Sequence, residues 1–382
     1  MLRSLFVVIG FGLLVLFPAW EAVTRWLPDF PLDEKRLSVP PPQWHSSPAL
    51  KNYLMGWQKW FNDRYAGRNL LIRLKTQLDY SLFSYSDRVY IGRDGWLFYR
   101  SVLDEERPAL ESWRPSDIDG LILQFRNLRI WLAARNINLV IIDNPLKDTF
   151  YPEMLPLSAP KFPSPSRGEE IRNRLRAETG ALVIDTTGIL SEVKRERPIF
   201  HRTDFHWNDP AAFAVAKDTV NRMAGLARMP SRGWRIKLEI EKRPLSGGEA
   251  SFMPLLRPVT ETALFVRPSW NNADSAYAFN QGIFEYVQRL RSPPVPLLPT
   301  VVVFGDSFFD GMARSGFGEH FTSVYRVRTF SASLQATLEH LPPDARFVVI
   351  ESIETGLGLF TIPLDFAALD RAFPKPKGAP IR

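Results

Sequence analysis

The chain has 382 residues, 45% of them apolar and 23% charged, enough to bury the core of one large domain or two modest ones. It contains no cysteine, which excludes disulfides, zinc–thiolate sites and a cysteine nucleophile. The net charge of +7 is scattered among acids and aromatics; that argues against nucleic acid and leaves a mild positive field suited to a polyanionic sugar.

An apolar run from Leu5 to Trp20 opens the chain. At ~1.5 Å per residue it reaches about 24 Å, and with Leu2, a snorkelling Arg3 and interfacial Trp20 and Trp26 it just spans a ~30 Å hydrocarbon core. We expect residues 1–25 to be a transmembrane helix anchoring the chain in an inner (cytoplasmic) membrane. The alternative is a cleaved signal peptide, although no small-x-small site precedes a cleavage point. Either reading exports everything that follows. Residues 26–47 are proline-rich and read as a stalk, 48–374 as the working domain and 375–382 as a flexible tail.

Leu54, Trp57, Trp60 and Phe61, then Leu70, Leu74, Leu78 and Phe83, recur at helical spacing and predict two amphipathic helices broken near Gly67. Asp94-Gly95 between apolar strand-formers predicts a tight hairpin. Ser116 with Asp119 reads as a helix cap, and Asn136 suits the left-handed position that ends that helix. Continuous apolar runs at 139–142, 181–184, 300–304 and 347–350 read as strands buried on both faces. Helices alternate with them, which gives an α/β fold with a mainly parallel central sheet. Residues 235–298, rich in proline and aromatics, read as an irregular insertion.

Two segments carry chemistry. In Val301-Val-Val-Phe-Gly-Asp-Ser-Phe308 a buried strand runs into Gly305 and Ser307. That places a hydroxyl at the carboxyl edge of the sheet, where open α/β folds bind ligands; a plain helix cap is the alternative. In Thr203-Asp-Phe-His-Trp-Asn-Asp-Pro210, Asn208 or Asp209 caps a helix that starts at Pro210. Asp204 and His206 then lie in the preceding loop, where the carboxylate can take the imidazole Nδ1–H and leave Nε2 for a serine proton. A structural His–Asp pair is the alternative, and His201 is the local competitor as base. The other histidines, His45, His201, His320 and His340, show no metal-ligand spacing with His206. No glycine-rich phosphate loop is present, so no coenzyme site and no cofactor are expected.

At these residues the sequence resembles the alginate O-acetyltransferase J/X family of SGNH-like proteins. The likeness runs from about 55 to 360 through Trp60-Phe-Asn-Asp-Arg-Tyr65, Ile91-Gly-Arg-Asp-Gly-Trp-Leu-Phe98, Pro145-Leu-Lys-Asp-Thr-Phe-Tyr-Pro152, Thr203-Asp-Phe-His-Trp207 and Gly305-Asp-Ser-Phe308. It implies an SGNH-like three-layer fold and places the family's catalytic triad on Ser307, His206 and Asp204. Lys147 and Tyr151 match a family pattern and would line the cleft, with a strand-end salt bridge and a packed tyrosine as the alternative. Trp207, with Phe205, Phe308 and Phe309, could give dry walls or a sugar-stacking face, with plain core packing as the alternative for at least two of them. Ser246-Gly-Gly-Glu-Ala-Ser-Phe-Met253 matches only roughly.

The resemblance implies transfer of an acetyl group through an acyl-serine onto hydroxyls of an exported polysaccharide, alginate-like or another exopolysaccharide. The acetyl group would come from a membrane-bound O-acyltransferase partner. An extracytoplasmic carbohydrate esterase with the same triad, or a non-catalytic polysaccharide-binding scaffold, stands as the alternative.

Overall fold

The computed structural model describes residues 2–28, 30–32, 37–43, 50–229, 239–267, 275–290 and 296–375. The chain forms two compact units, one of residues 1–86 with 251–259, the other of 87–250 with 260–382.

The first unit is helical. Leu2–Thr24 is one helix, and among the described residues no helix is long and apolar enough to cross a membrane. The expected anchor over 1–25 falls partly on side chains outside the description, as do parts of the expected stalk and the tail beyond 375. Helices Leu50–Arg64 and Arg68–Phe83 part at Gly67 as anticipated. Its φ of +81° needs glycine, and a Cβ there would press to 2.9 Å on the Phe17 ring. Arg73 donates to the Leu255 carbonyl at 2.7 Å and the Arg257 N–H to Gln77 at 3.1 Å, which holds 251–259 to the third helix.

The second unit is built on a seven-stranded sheet. In chain order its strands and those of two small hairpins are β1 (Val89–Ile91), β2 (Leu97–Tyr99), β3 (Asn138–Asn144), β4 (Leu182–Val183), β5 (Glu239–Leu245), β6 (Glu261–Arg267), β7 (Ser275–Gln281), β8 (Phe284–Leu290), β9 (Val301–Gly305), β10 (Ser323–Arg328) and β11 (Phe347–Ile353). The order across the large sheet is β4-β3-β11-β9-β10-β8-β7. The ladders from β4 to β10 are parallel and the last two antiparallel. The sheet is therefore mixed, parallel in four ladders and antiparallel in two; the antiparallel part corrects the expected irregular insertion, since 235–298 supplies β7 and β8, and the separate hairpin strands β5 and β6. Parts of that stretch (235–238, 268–274, 291–295) lie outside the described residues.

Side-chain alternation explains the layers. Val140, Ile142, Val301, Val303 and Val349 face one core with Ala212, Val215, Ala216 and Val220 of helix Asp209–Ala227. Leu139, Ile141, Val302, Phe304, Val348 and Ile350 face the other, with Leu121, Phe125 and Leu128 of helix Pro115–Ala133 and Ile171 of Arg167–Glu178. Both faces are thus covered, as continuous apolar strands require. Helix Pro115–Ala133 starts one residue before the expected cap: the Arg114 N–H donates to Asp117, which displaces Ser116 and Asp119 from that role. Asn136 takes the left-handed conformation at φ 60°. At the hairpin, Asp94 (φ 52°) and Gly95 (φ 73°) turn the chain between β1 and β2.

Candidate active site

The parallel register sets the stage. Gly305, the last residue of β9, lies level with Glu351 of β11 and Arg328 of β10, so the chain leaves the sheet at its carboxyl edge. A Cβ on Gly305 would sit 2.6 Å from Glu351 Oε2 and 2.9 Å from Arg326 Nη1. Glycine is present because two fully buried long side chains crowd under the strand end. Glu351 accepts the Asp306 N–H at 3.0 Å and Asn144 Nδ2 at 2.5 Å. Arg326 donates to the Asp306 carbonyl at 2.5 Å. The Asp306 carboxylate turns back to accept the N–H of Phe308 and of Ile353, each at 2.8 Å. Burial pushes the Asp306 carboxyl up, and burial with Asp306 nearby pushes Glu351 well up. The Ser307 carbonyl accepts the Asp310 N–H at 3.2 Å, which leaves the hydroxyl and N–H of Ser307 as the polar groups of this turn that no neighbouring turn residue takes up. Its hydroxyl is not a helix cap, since helix Phe309–Arg314 begins two residues on, and among the described residues nothing accepts its backbone N–H.

The base loop is a short excursion closed by an antiparallel bridge between Phe200 and Trp207. Glu261 of β6 ties its root, accepting the N–H of Arg202 (2.9 Å) and the N–H and hydroxyl of Thr203 (2.8 Å each). Asn208 caps the following helix by accepting the Ala211 N–H at 3.1 Å, as its position before Pro210 foretells. Asp204 and His206 project from the loop together. Nδ1 of His206 lies 2.6 Å from Asp204 Oδ1, and Nε2 lies 2.7 Å from Ser307 Oγ. The same carboxylate accepts the His206 N–H at 3.0 Å and the Gly248 N–H at 2.5 Å. Burial alone would raise its pKa; the hydrogen bonds and charge of His206, with the Gly248 N–H, outweigh that and hold it well below the usual carboxylate range. His206 keeps 29% of its side chain exposed and Asp204 18%, so the relay opens to solvent from one side. His201 is buried, its ring 6.0 Å from that of Phe265, and burial pushes its pKa down.

The three residues expected to line a cleft are placed elsewhere. Lys147 is 4%, Tyr151 5% and Trp207 1% exposed. Tyr151 stacks 4.1 Å from Trp96 and its hydroxyl accepts the Ile199 N–H at 3.0 Å. Trp207 donates from Nε1 to the Phe308 carbonyl at 2.9 Å and bolts the base loop to the serine turn. Lys147 donates behind the loop to the carbonyls of Leu97, Arg202 and Asp204. All three are buried, each apolar body packed in the core and each polar end taken up by main chain or, for Lys147, also by Glu249. Of the aromatics near the site, Phe308 and Phe309 are buried and Phe205 is part-exposed, its ring 4.1 Å from that of His206. Sequence reasoning missed Gly247, Gly248, Glu261, Arg326 and Glu351. The Gly-Gly pair was a visible signal, while the two carboxylates and the arginine sit in strands whose pairing the chain does not announce. No group of ligating side chains that could hold a metal occurs among the described residues.

Comparison with known proteins adds a family. Residues 89–261 match the family described as SGNH hydrolase-like domain, acetyltransferase AlgX. That span contains Asp204 and His206 and stops before Ser307. Over 192 residues the chain is 32% identical to the probable alginate O-acetylase AlgJ of Pseudomonas aeruginosa, covering 49% of this chain and 47% of that protein. The chain thus spans about half the length of the curated relative it matches. Among solved structures, Bacillus cereus PatB1 aligns with a TM-score of 0.51 at 13% identity over 70% of this chain and 97% of its own. PatB1 with a sulfonyl adduct aligns at 0.52 and 12% identity, covering 71% and 96%. These structural likenesses concern the SGNH-like α/β fold alone.

Proposed function

We propose that the chain, similar through residues 89–261 to the alginate O-acetyltransferase J/X family, carries an acetyl group on Ser307 and delivers it to hydroxyls of an exported polysaccharide. The family likeness supports polysaccharide O-acetylation in general. The observation that carries the finer reading is the unbroken line from the Asp204 carboxylate through the His206 ring to the Ser307 hydroxyl, at 2.6 and 2.7 Å.

The geometry suits two-step acyl transfer. His206 Nε2 takes the Ser307 proton as Oγ forms a bond to the acetyl carbonyl carbon, and Asp204 stabilises the imidazolium through Nδ1–H. The Ser307 N–H, having no internal partner, is available to the oxyanion. Collapse breaks the bond to the donor's leaving group, which takes the proton from His206. In the second step His206 accepts the proton of an acceptor hydroxyl, whose oxygen attacks the ester; Ser307 then recovers the proton. An acetyl donor supplied at the membrane by an O-acyltransferase, and an N-terminal anchor in that membrane, complete the proposal.

Mass spectrometry of the chain incubated with an activated acetyl ester tests it. One acetyl mass on Ser307, discharged by acceptor oligosaccharides, is the expected result; no adduct on Ser307 would sink the reading. The solvent-open side of His206 supports a second reading, an esterase in which water takes the place of the acceptor. Acetate release at a rate indifferent to added sugar would favour it.

A further inference from the structure

Behind Asp204 lies an ion pair that the proton relay does not use. Lys147 Nζ and Glu249 Oε2 are 2.9 Å apart, and their side chains are 4% and 0% exposed. Around the ammonium stand the carbonyls of Leu97 (2.5 Å), Arg202 (3.1 Å) and Asp204 (3.0 Å). The rings of Trp96 and Phe98 lie 5.4 and 5.1 Å from Nζ. Two charges are expensive to bury, and a well-packed apolar pair often serves the fold as well or better. What an ammonium does here, and a methyl group cannot, is gather three main-chain oxygens, one from β2 and two that flank Thr203. Its partner Glu249 directly follows Gly248, whose N–H binds the Asp204 carboxylate at 2.5 Å. Gly247 donates to the Thr203 hydroxyl at 3.1 Å, and the Ala250 N–H to the Thr203 carbonyl at 3.1 Å. One ion pair therefore ties together the main chain of Asp204 and the segment that supplies a donor to its carboxylate.

We propose that Lys147 and Glu249 are positioning residues for proton transfer, holding Asp204 in register so that its carboxylate keeps the His206 ring aimed at Ser307. The inference rests on the acyl-serine reading of the site. It also accounts for the burial of a lysine whose motif suggested a cleft wall.

The test uses the full chain and the variants Lys147→Met, Glu249→Gln and Lys147→Met/Glu249→Leu. Acetyl-Ser307 formation from an activated acetyl ester is followed at saturating and half-saturating ester. The low-field proton NMR signal of the His206 Nδ1–H is recorded, and melting checks the fold. Lys147→Met should slow saturated acylation by about 10- to 100-fold through misplacement, leave the half-saturating concentration unchanged and shift or erase the low-field signal. Glu249→Gln keeps an acceptor for the ammonium and should retain most of the rate. The apolar double variant restores packing without the carbonyl clamp and should stay slow. A folded Lys147→Met with wild-type rate and signal overturns the proposal. So does a folded double variant with wild-type rate, which also decides the matter if the single variant does not fold. If the wild type forms no adduct on Ser307, the acyl-serine reading fails; a low-field signal that still responds to Lys147→Met then upholds the positioning role, and one that does not respond overturns it as well.

Discussion

Gly247 faces the base loop at a distance that leaves no room for a side chain. A Cβ built there falls 2.4 Å from the Thr203 carbonyl oxygen and 2.5 Å from the Asp204 Cβ, where ordinary contact begins near 3.4 Å. Neither neighbour is the end of a flexible side chain, so Gly247→Ala must drive the loop back by about 1 Å. The relay it displaces runs through hydrogen bonds of 2.6 and 2.7 Å, and a misplacement of that size costs about 10²-fold in rate. Overpacking adds a stability loss of about 1–3 kcal/mol. The assay is acetyl-Ser307 formation under saturating ester, alongside thermal melting. Gly120→Ala is the control, since a Cβ there meets nothing within 4 Å; it should leave the rate alone and add up to about 1 kcal/mol of stability. A Gly247→Ala chain that melts and acylates like wild type would refute the steric argument and the loop geometry with it.

Asp204→Asn removes the acceptor that fixes the ring tautomer and should cut acylation by roughly 10⁴-fold, with Ser307→Ala as the zero of the same mass-spectrometric assay. Arg172 bridges Asp143 (3.1 Å) and Glu354 (2.7 Å) in the interior. Arg172→Met should therefore destabilise the chain by about 3–5 kcal/mol in urea titrations by leaving two buried carboxylates unpaired. Burial pushes the Glu249 carboxyl up to about 7, with Lys147 pulling against it and Asp204 adding to it. The folded chain thus holds that proton more tightly than the unfolded one, whose carboxyl titrates near ~4.3. The associated stability is complete below about pH 4 and lost as pH climbs to about 7. The wild-type Tm should accordingly fall relative to that of Glu249→Gln across this window, and a difference independent of pH would contradict the assignment.

Much of the scaffold could be read before any coordinates because it depends on local physics. The apolar runs at 139–142 and 347–350 lie within β3 and β11, that at 300–304 overlaps β9 and that at 181–184 holds the short β4; Gly67 and Asn136 sit at left-handed positions, and Asn208 caps its helix. Where meaning depended on pairing, less could be read. Ser323–Arg328 drew no assignment from its pattern; as β10 it lies inside the sheet, and its wholly buried Arg326 donates to the Asp306 carbonyl. The β7–β8 hairpin was hidden by proline and aromatic content around it. Of the candidate site, Ser307, His206 and Asp204 were legible from their places at a strand end and before a helix. Lys147, Tyr151 and Trp207 take the alternative the sequence also left open, an ion pair and packed rings, in place of a cleft wall. Nothing in a linear pattern distinguishes a lysine facing a cleft from one that holds three carbonyls behind it.

The hydroxyl and the imidazole are fastened to different parts of the unit. The turn at 305–307 is gripped by β9, β10 and β11 through Glu351, Arg326 and the amide of Ile353. The loop at 201–206 hangs from Glu261, Gly248, Lys147 and the indole bolt at Trp207. The Asp306 amide proton, held by the buried Glu351 carboxyl, should exchange with water only when the sheet end opens, whereas the amides of the base loop should escape through a smaller local opening. On the proposed mechanism the lifetime of the assembled centre would be that of the loop, and in each excursion Ser307 would stand without its base, an ordinary alcohol on an intact shelf.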